Sequence, residues 1–156
     1  MKTLVVFYSR TGTTRLVADA VAQRLNADLE EVREVHPPSQ FFGYLKAMLQ
    51  TWFQRVPPIA EAEHDIATYD LVAFGCPVWA STMPGPARRY LERERDGITR
   101  LAGFCTHHDS GADSTFARME SVGGKKLEAR AAFKEESVRS GDAEADIEAF
   151  IAKLQG

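Results

Sequence analysis

The chain has 156 residues and a formal net charge of −3, with 44% hydrophobic and 26% charged residues. This size and balance are typical of a globular chain that buries its own core, so we expect one domain over residues 1–156. The mild charge excludes the basic surface of a dedicated nucleic-acid binder, and no run approaches the roughly 18 apolar residues that a membrane span needs.

Two cysteines, Cys76 and Cys105, are too few for a disulfide framework. The apolar stretch at the N-terminus is too short for a signal-peptide core and has no small-residue cleavage site after it. A reducing cytoplasm is therefore the expected compartment, with neither a membrane nor a nucleic acid as partner.

The chain opens with a β-branched and aromatic run, residues 3–8, that is typical of a parallel strand buried on both faces. A polar turn over residues 9–14 leads into a predicted helix over residues 15–25. Apolar residues recur along this helix with helical periodicity: Leu16, Val17, Ala20, Val21 and Leu25. A weaker, charged strand is expected over residues 29–35, near a sheet edge.

Residues 37–59 lie between two proline pairs and carry many apolar and aromatic side chains at spacings that suit one amphipathic helix. The simpler interpretation is the helix between the second and third strands, packed on the sheet. The alternative is that aromatics from residues 41–53 reach a ligand site or form a partner surface.

The remaining pattern alternates strands and helices. Strands are expected over residues 69–75, 100–106 and 127–133, the last half-exposed because apolar and charged residues alternate along it. Pro84 and Pro86 mark a helix start, Gly123 and Gly124 stop a helix over residues 113–122, and the final helix carries an apolar stripe from residue 147 to 154. Five strands in this arrangement predict an α/β fold, an open doubly wound sheet with helices on both faces.

The first loop has the composition of an anion site. Residues 9–14 stand between a buried strand and a helix, where free N–H groups and hydroxyls can hold a phosphate and Gly12 lets the backbone approach it. The candidate residues are Ser9, Arg10, Thr11, Gly12, Thr13 and Thr14. The pattern is neither a Walker loop nor G-x-G-x-x-G. A hydroxyl-rich helix cap is the alternative.

With these residues in place, the chain resembles the flavodoxin family. Ser9-x-Thr11-Gly12-x-Thr14 after a hydrophobic strand looks like that family's FMN-phosphate loop, and Gly75-Cys76-Pro77-Val78-Trp79 looks like a loop at the flavin ring. The resemblance extends over nearly the whole chain in the order and length of elements. It implies a flavodoxin-like, five-stranded parallel sheet of order 2-1-3-4-5, with FMN as cofactor at its carboxyl edge.

The second loop offers an aromatic for a flat, apolar ring. Trp79 is the candidate for stacking, Pro77 would stiffen the turn, and backbone groups of Val78, Ala80 and Ser81 could bond the ring's polar edge. The alternative for Trp79 is a core position under the following helix.

The third loop, residues 106–113, resembles the family's second ring loop in position only. Family members often have an aromatic there, whereas this chain has histidines, so the ring's outer face could be open, stacked on imidazole or covered by residues 41–53. The candidates are His107, His108, Asp109, Gly111 and Asp113. No metal site is expected, because adjacent histidines at a strand end point in opposite directions.

Two departures from the family matter. No glycine lies between Pro77 and Met83, so a peptide flip of the kind that accompanies one-electron chemistry would put a non-glycine residue at a strained positive φ. Several arginines, Arg10, Arg15, Arg88 and Arg89, lie near the expected loops, where the family is often acidic. Docking on basic partners therefore need not transfer.

The resemblance implies an electron-transfer protein that carries FMN between redox partner proteins, a reductase and an acceptor, with no catalytic residue of its own. The alternative is an oxidoreductase of the same fold, an NAD(P)H-dependent FMN or quinone reductase acting on a small-molecule acceptor. A third possibility is a fold that has lost its flavin and only binds partners. Cys76 and Cys105 end neighbouring strands and are expected to be inert thiols.

Overall fold

The computed structural model describes residues 1–35 and 58–156. Within these ranges the strands form one parallel five-stranded sheet in the order β2-β1-β3-β4-β5, which confirms the expected topology. The strands are β1 Thr3–Phe7, β2 Asp28–Glu31, β3 Leu71–Pro77, β4 Leu101–His107 and β5 Leu127–Lys134. The segment interpreted as an aromatic-rich helix, residues 37–59, falls almost wholly outside the described residues.

The helices follow the strands along the chain: α1 Thr13–Leu25, α2 Gly85–Glu94, α3 Ala112–Gly123, α4 Glu135–Ser140 and α5 Glu144–Gln155. Two short 3₁₀ helices, Ile66–Thr68 and Arg95–Gly97, lie in the connections. The sequence did not predict α4, because its six residues are too few to show a helical period. Among the described residues, no helix is long and apolar enough to cross a membrane.

Successive residues of β1 point to opposite faces of the sheet and so feed two cores. Leu4 and Val6 pack with the apolar sides of α2 and α3, while Val5 and Phe7 pack with those of α1 and α5. Helices on both faces bury β1 and β3 completely, as their continuous apolar composition predicted.

Exposure patterns confirm two expectations and correct a third. β5 is half-exposed, and β2 lies at a sheet edge. The predicted apolar stripe of α1 is wrong at Leu16, which is exposed, because α1 presents Val17, Ala18 and Val21 to the sheet instead.

The order in which the chain adds strands to the sheet changes direction at β1, because β2 lies on one side of it and β3 on the other. The crevice at their carboxyl ends is where ligands bind in open α/β sheets.

Candidate functional site

The loop between β1 and α1 is held in a tight turn with its helix start open. The Gly12 N–H donates to the Ser9 Oγ at 3.1 Å, and Gly12 has φ +95° at the position that precedes the first helical residue. In the parts of the chain that the structure describes, no side chain caps the start of α1. The N–H groups of its first turn are therefore available to an anion.

The space beside this helix start is open. A Cβ atom added at Gly12 would meet no heavy atom within 4 Å, and Arg10 and Thr11 are exposed. Thr13 and Thr14 are instead buried, and their hydroxyls have protein partners. Arg139 donates to the Thr13 Oγ1 at 3.1 Å, and the Thr14 Oγ1 lies 2.8 Å from the Thr106 Oγ1. These two hydroxyls thus tie α1 to its neighbours, which leaves backbone amides facing the open space.

The second loop is a two-residue hairpin turn at the carboxyl end of β3. Trp79 and Thr82 exchange two backbone hydrogen bonds of 2.9 and 3.0 Å across Ala80 and Ser81. Both central residues have positive φ, 47° and 62°, although neither is a glycine. Such backbone conformations cost of the order of 1–3 kcal/mol each, and they concentrate at functional sites. Pro77, predicted in the loop, ends strand β3 instead, where its missing N–H costs no ladder bond.

The turn leaves backbone donors at its tip. The Val78 N–H donates to the Thr106 carbonyl at 2.8 Å, and the Trp79 and Thr82 N–H groups are used within the turn. Among the described residues, the N–H groups of Ala80 and Ser81 have no hydrogen-bond partner. Two adjacent unpartnered amides at a sheet edge suit the polar edge of a ligand.

Trp79 is half-buried, so it is neither a fully buried core residue nor a free surface one. The Trp79 and Tyr8 rings pack edge to face, with their centroids 5.6 Å apart and their planes at 79°. The Arg10 guanidinium lies over the Trp79 ring, 4.8 Å from its centroid. Arg10 also reaches Glu34 at 3.8 Å. A cation thus lies against one face of the indole, and a planar ligand ring that stacked on this face would displace it.

Tyr8 is a site residue that sequence reasoning missed. It is buried at the end of β1, directly before the first loop. Burial, and next the Glu34 carboxylate, raise the pKa of the Tyr8 hydroxyl, while Arg10 opposes this. The hydroxyl therefore stays protonated at neutral pH. The available signal was an aromatic at the last position of the predicted strand, residues 3–8.

The third loop places its two histidines in different surroundings. His107 ends β4, and its Nδ1 is buried without a hydrogen-bond partner in the described structure. His108 is exposed and lies 3.2 Å from Glu135. Asp109 and Asp113 are exposed, with Asp113 in the first turn of α3. No cluster of three or more His, Cys, Asp or Glu side chains forms among residues 1–35 and 58–156.

Gly111 joins the second and third loops. It has φ +92°, and an added Cβ would lie 2.6 Å from the Val78 Cγ1 and 3.1 Å from the Ser81 Cα. The Ser114 hydroxyl lies 2.5 Å from the Ser81 carbonyl and 3.1 Å from the Gly111 carbonyl, so it donates toward both loops. The strained turn is therefore held by direct packing and by Ser114, a residue that the sequence did not single out.

The two cysteines face each other across β3 and β4 and are both free and buried. Burial raises the pKa of Cys76 well above its usual value and that of Cys105 to about 12. Hardly any thiolate exists at neutral pH. This supports the prediction of inert thiols, because the thiolate is the reactive form.

Solved structures that align with this chain include flavoproteins. A flavoprotein from Lactobacillus acidophilus, in complex with FMN, aligns with a TM-score of 0.71 at 21% identity, over 89% of this chain and 97% of that one. Oxidised flavodoxin 2 from Bacillus cereus aligns at 0.56 and 17% identity, over 98% and 99%. The WrbA-like flavodoxin from Agrobacterium tumefaciens aligns at 0.52 and 15%, over 82% and 81%.

These likenesses establish a flavodoxin-like fold for this chain. No family model and no curated protein matches its sequence. The fold is thus shown by structure, and what the site binds is inferred from the residues that line it.

Proposed function

We propose that this chain binds one FMN at the carboxyl edge of its sheet and transfers electrons through it. The observation that carries the proposal is the start of α1. There, uncapped N–H groups and the open space at Gly12 lie in the crevice beside β1 and β3. The FMN held by the structurally similar Lactobacillus acidophilus flavoprotein supports this choice of ligand.

The residues present fit the phosphate end of FMN. A phosphate needs several N–H or O–H donors without bulky side chains around it. The backbone of residues 10–14, together with the Ser9 and Thr11 hydroxyls, would supply these donors. Thr13 and Thr14 would contribute backbone N–H groups, because their side chains already have protein partners.

The residues also fit the ring end. Half-buried Trp79 offers a flat apolar face, and the unpartnered amides of Ala80 and Ser81 would bond the polar edge of the ring. The buried Nδ1 of His107 would gain the partner that it lacks. Of the other third-loop residues, Asp109 and Asp113 would stay at the solvent side and Gly111 would act by packing.

The flavin would supply the redox chemistry, and the protein's part is to hold and orient it and to set the polarity around it. Electron carriage between a reductase and an acceptor is the activity we propose. An NAD(P)H-dependent reductase of the same fold is the second candidate, because exposed His108, Asp109 and Ser110 stand where an aromatic often covers the ring in the family.

The visible spectrum tests the proposal. Protein purified and incubated with excess FMN, then freed of unbound ligand, should keep absorbance near 375 and 450 nm in a stoichiometric amount. Under anaerobic conditions with NADH or NADPH, a carrier should stay oxidised for hours, whereas a reductase should bleach within minutes. Colourless protein that takes up no FMN would refute the proposal.

Trp79 gives a second test. Replacement of Trp79 by alanine should raise the fluorescence of bound FMN several-fold, because a stacked indole quenches an excited flavin. Trp79→Phe is the matched control, since it keeps a planar ring at the position. Equal FMN fluorescence in the parent protein and Trp79→Ala, measured at saturation, would place the indole away from the ring.

A further inference from the structure

A second candidate site lies on one face of the sheet, between α2 and α3. It is a cavity of about 590 Å³, which we term the arginine groove. This volume lies within the range of small-molecule sites, roughly 300–1,000 Å³. Its polar lining consists of Thr82, Arg88, Ser114, Arg118 and Ser121.

One wall of the groove is the polar face of α3. Ser114, Ala117, Arg118 and Ser121 recur at the i, i+3, i+4, i+7 spacing of one face of α3. The neighbouring face, with Phe116 and Met119, is the one that packs into the core. Ser114, Ala117, Arg118 and Ser121 are all exposed, so this polar face of α3 forms an open wall of the groove that a polar ligand can reach.

Within the described part of the chain, the two arginines of the groove differ from several other arginines in having no acidic partner. Arg10, Arg15 and Arg100 each have a carboxylate oxygen within 4 Å. Across residues 1–35 and 58–156, neither Arg88 nor Arg118 forms an ion pair, and the Nε of Arg88 is buried without a hydrogen-bond partner. A buried donor without a partner costs free energy, which a bound anion would recover.

The start of α2 adds positive potential at the same place. No acidic residue lies in its first turn, and no described side chain caps it. Arg88 follows that turn directly, so a guanidinium stands beside the positive end of the helix dipole. These two positive groups repel each other, and an anion bound in the groove would be attracted to both.

The groove is continuous with the proposed ring site. Thr82 lines the groove and closes the hairpin turn with Trp79, and Ser114 lines it while holding Ser81 and Gly111. A molecule with one end at these loops could therefore place its other end between α2 and α3.

We propose that the arginine groove binds the phosphate groups of a nucleotide that approaches the ring loops as a second ligand. The role of that nucleotide at the flavin rests on the proposed function, whereas the anion site depends on the groove alone. Arg88 and Arg118 would hold the phosphates by charge-assisted hydrogen bonds, and the hydroxyls of Ser121 and Thr82 would complete the shell.

Calorimetric titration of the protein, with FMN in excess, tests this. Inorganic pyrophosphate and ADP should bind with one-site stoichiometry and compete with each other, and adenosine should not bind. Arg118→Ala should weaken both ligands by about tenfold, and Arg88→Ala should do the same. Arg118 is exposed, so Arg118→Ala should fold. It therefore tests the inference even if Arg88→Ala, which removes a partly buried side chain, does not fold.

The control is Arg95→Ala, which removes the same charge from an exposed position after α2, and it should leave both affinities unchanged. Absence of pyrophosphate and ADP binding to the parent protein would overturn the inference. So would affinities that Arg118→Ala does not alter. The absorbance of bound FMN in the same samples reports separately on the proposed function, and it should be the same in all variants.

Discussion

Replacement of Gly111 by alanine should lower the free energy of unfolding by about 2–5 kcal/mol. A side chain at φ +92° carries roughly 1–2 kcal/mol of backbone strain, and overpacking adds about 1–3 kcal/mol. The added Cβ would lie 2.6 Å from Val78 and 3.1 Å from the backbone of Ser81, so it cannot be accommodated by a side-chain rotation alone. The second and third loops must separate to accept it.

Gly141→Ala is the matched control. Gly141 has φ +86° after α4, and an added Cβ there meets no heavy atom within 4 Å, so only the strain of about 1–2 kcal/mol should appear. Urea unfolding followed by circular dichroism measures both. Equal losses in the two variants would mean that the contact between the loops carries no stability.

Replacement of Gly12 by valine should weaken FMN binding by about 100-fold or more. The β-branched side chain would enter the open space at the start of α1 and displace the phosphate from its N–H donors. Two lost charge-assisted hydrogen bonds, at about 1.5–3 kcal/mol each, correspond to at least this factor. Fluorescence titration of FMN measures the change.

Gly141→Val is the control for this experiment too, because it has a comparable positive φ and open surroundings but lies outside the site. Both variants should lose similar stability, and Gly141→Val should bind FMN as the parent does. A Gly12→Val protein that folds and keeps the parent dissociation constant would contradict the assignment of the phosphate loop.

The order of strands and the faces of the helices were largely predictable. Continuous apolar runs predicted β1 and β3 as buried, and alternation predicted β5 as half-exposed, because these patterns reflect burial that neighbouring elements impose. Leu16 was wrongly assigned to the buried face of α1. It is followed directly by the apolar Val17 and Ala18, so the sequence allows more than one choice of which helix face packs on the sheet. Helix α4 was missed because six residues contain less than two turns.

The candidate site was predictable as three loops but not as a set of contacts. Gly12 and Trp79 stand out by residue type and position after a strand. Tyr8, Thr106 and Ser114 do not, because their roles depend on partners far along the chain: the Thr14 and Thr106 hydroxyls meet across 92 residues. The arginine groove likewise joins α2 and α3, and no local pattern marks it.

The sequence by itself determined the alternation of strands and helices, the open α/β class and the places where loops at the carboxyl edge carry special residues. These follow from local periodicity and from the few residue types that turns and helix starts accept. Only the tertiary structure decided which hydroxyls face the open space, that Ala80 and Ser81 take positive φ, and that Arg88 and Arg118 form no ion pair with the other described residues. Each of these depends on packing between segments distant in sequence, where burial and charge are set by neighbours that no local pattern contains.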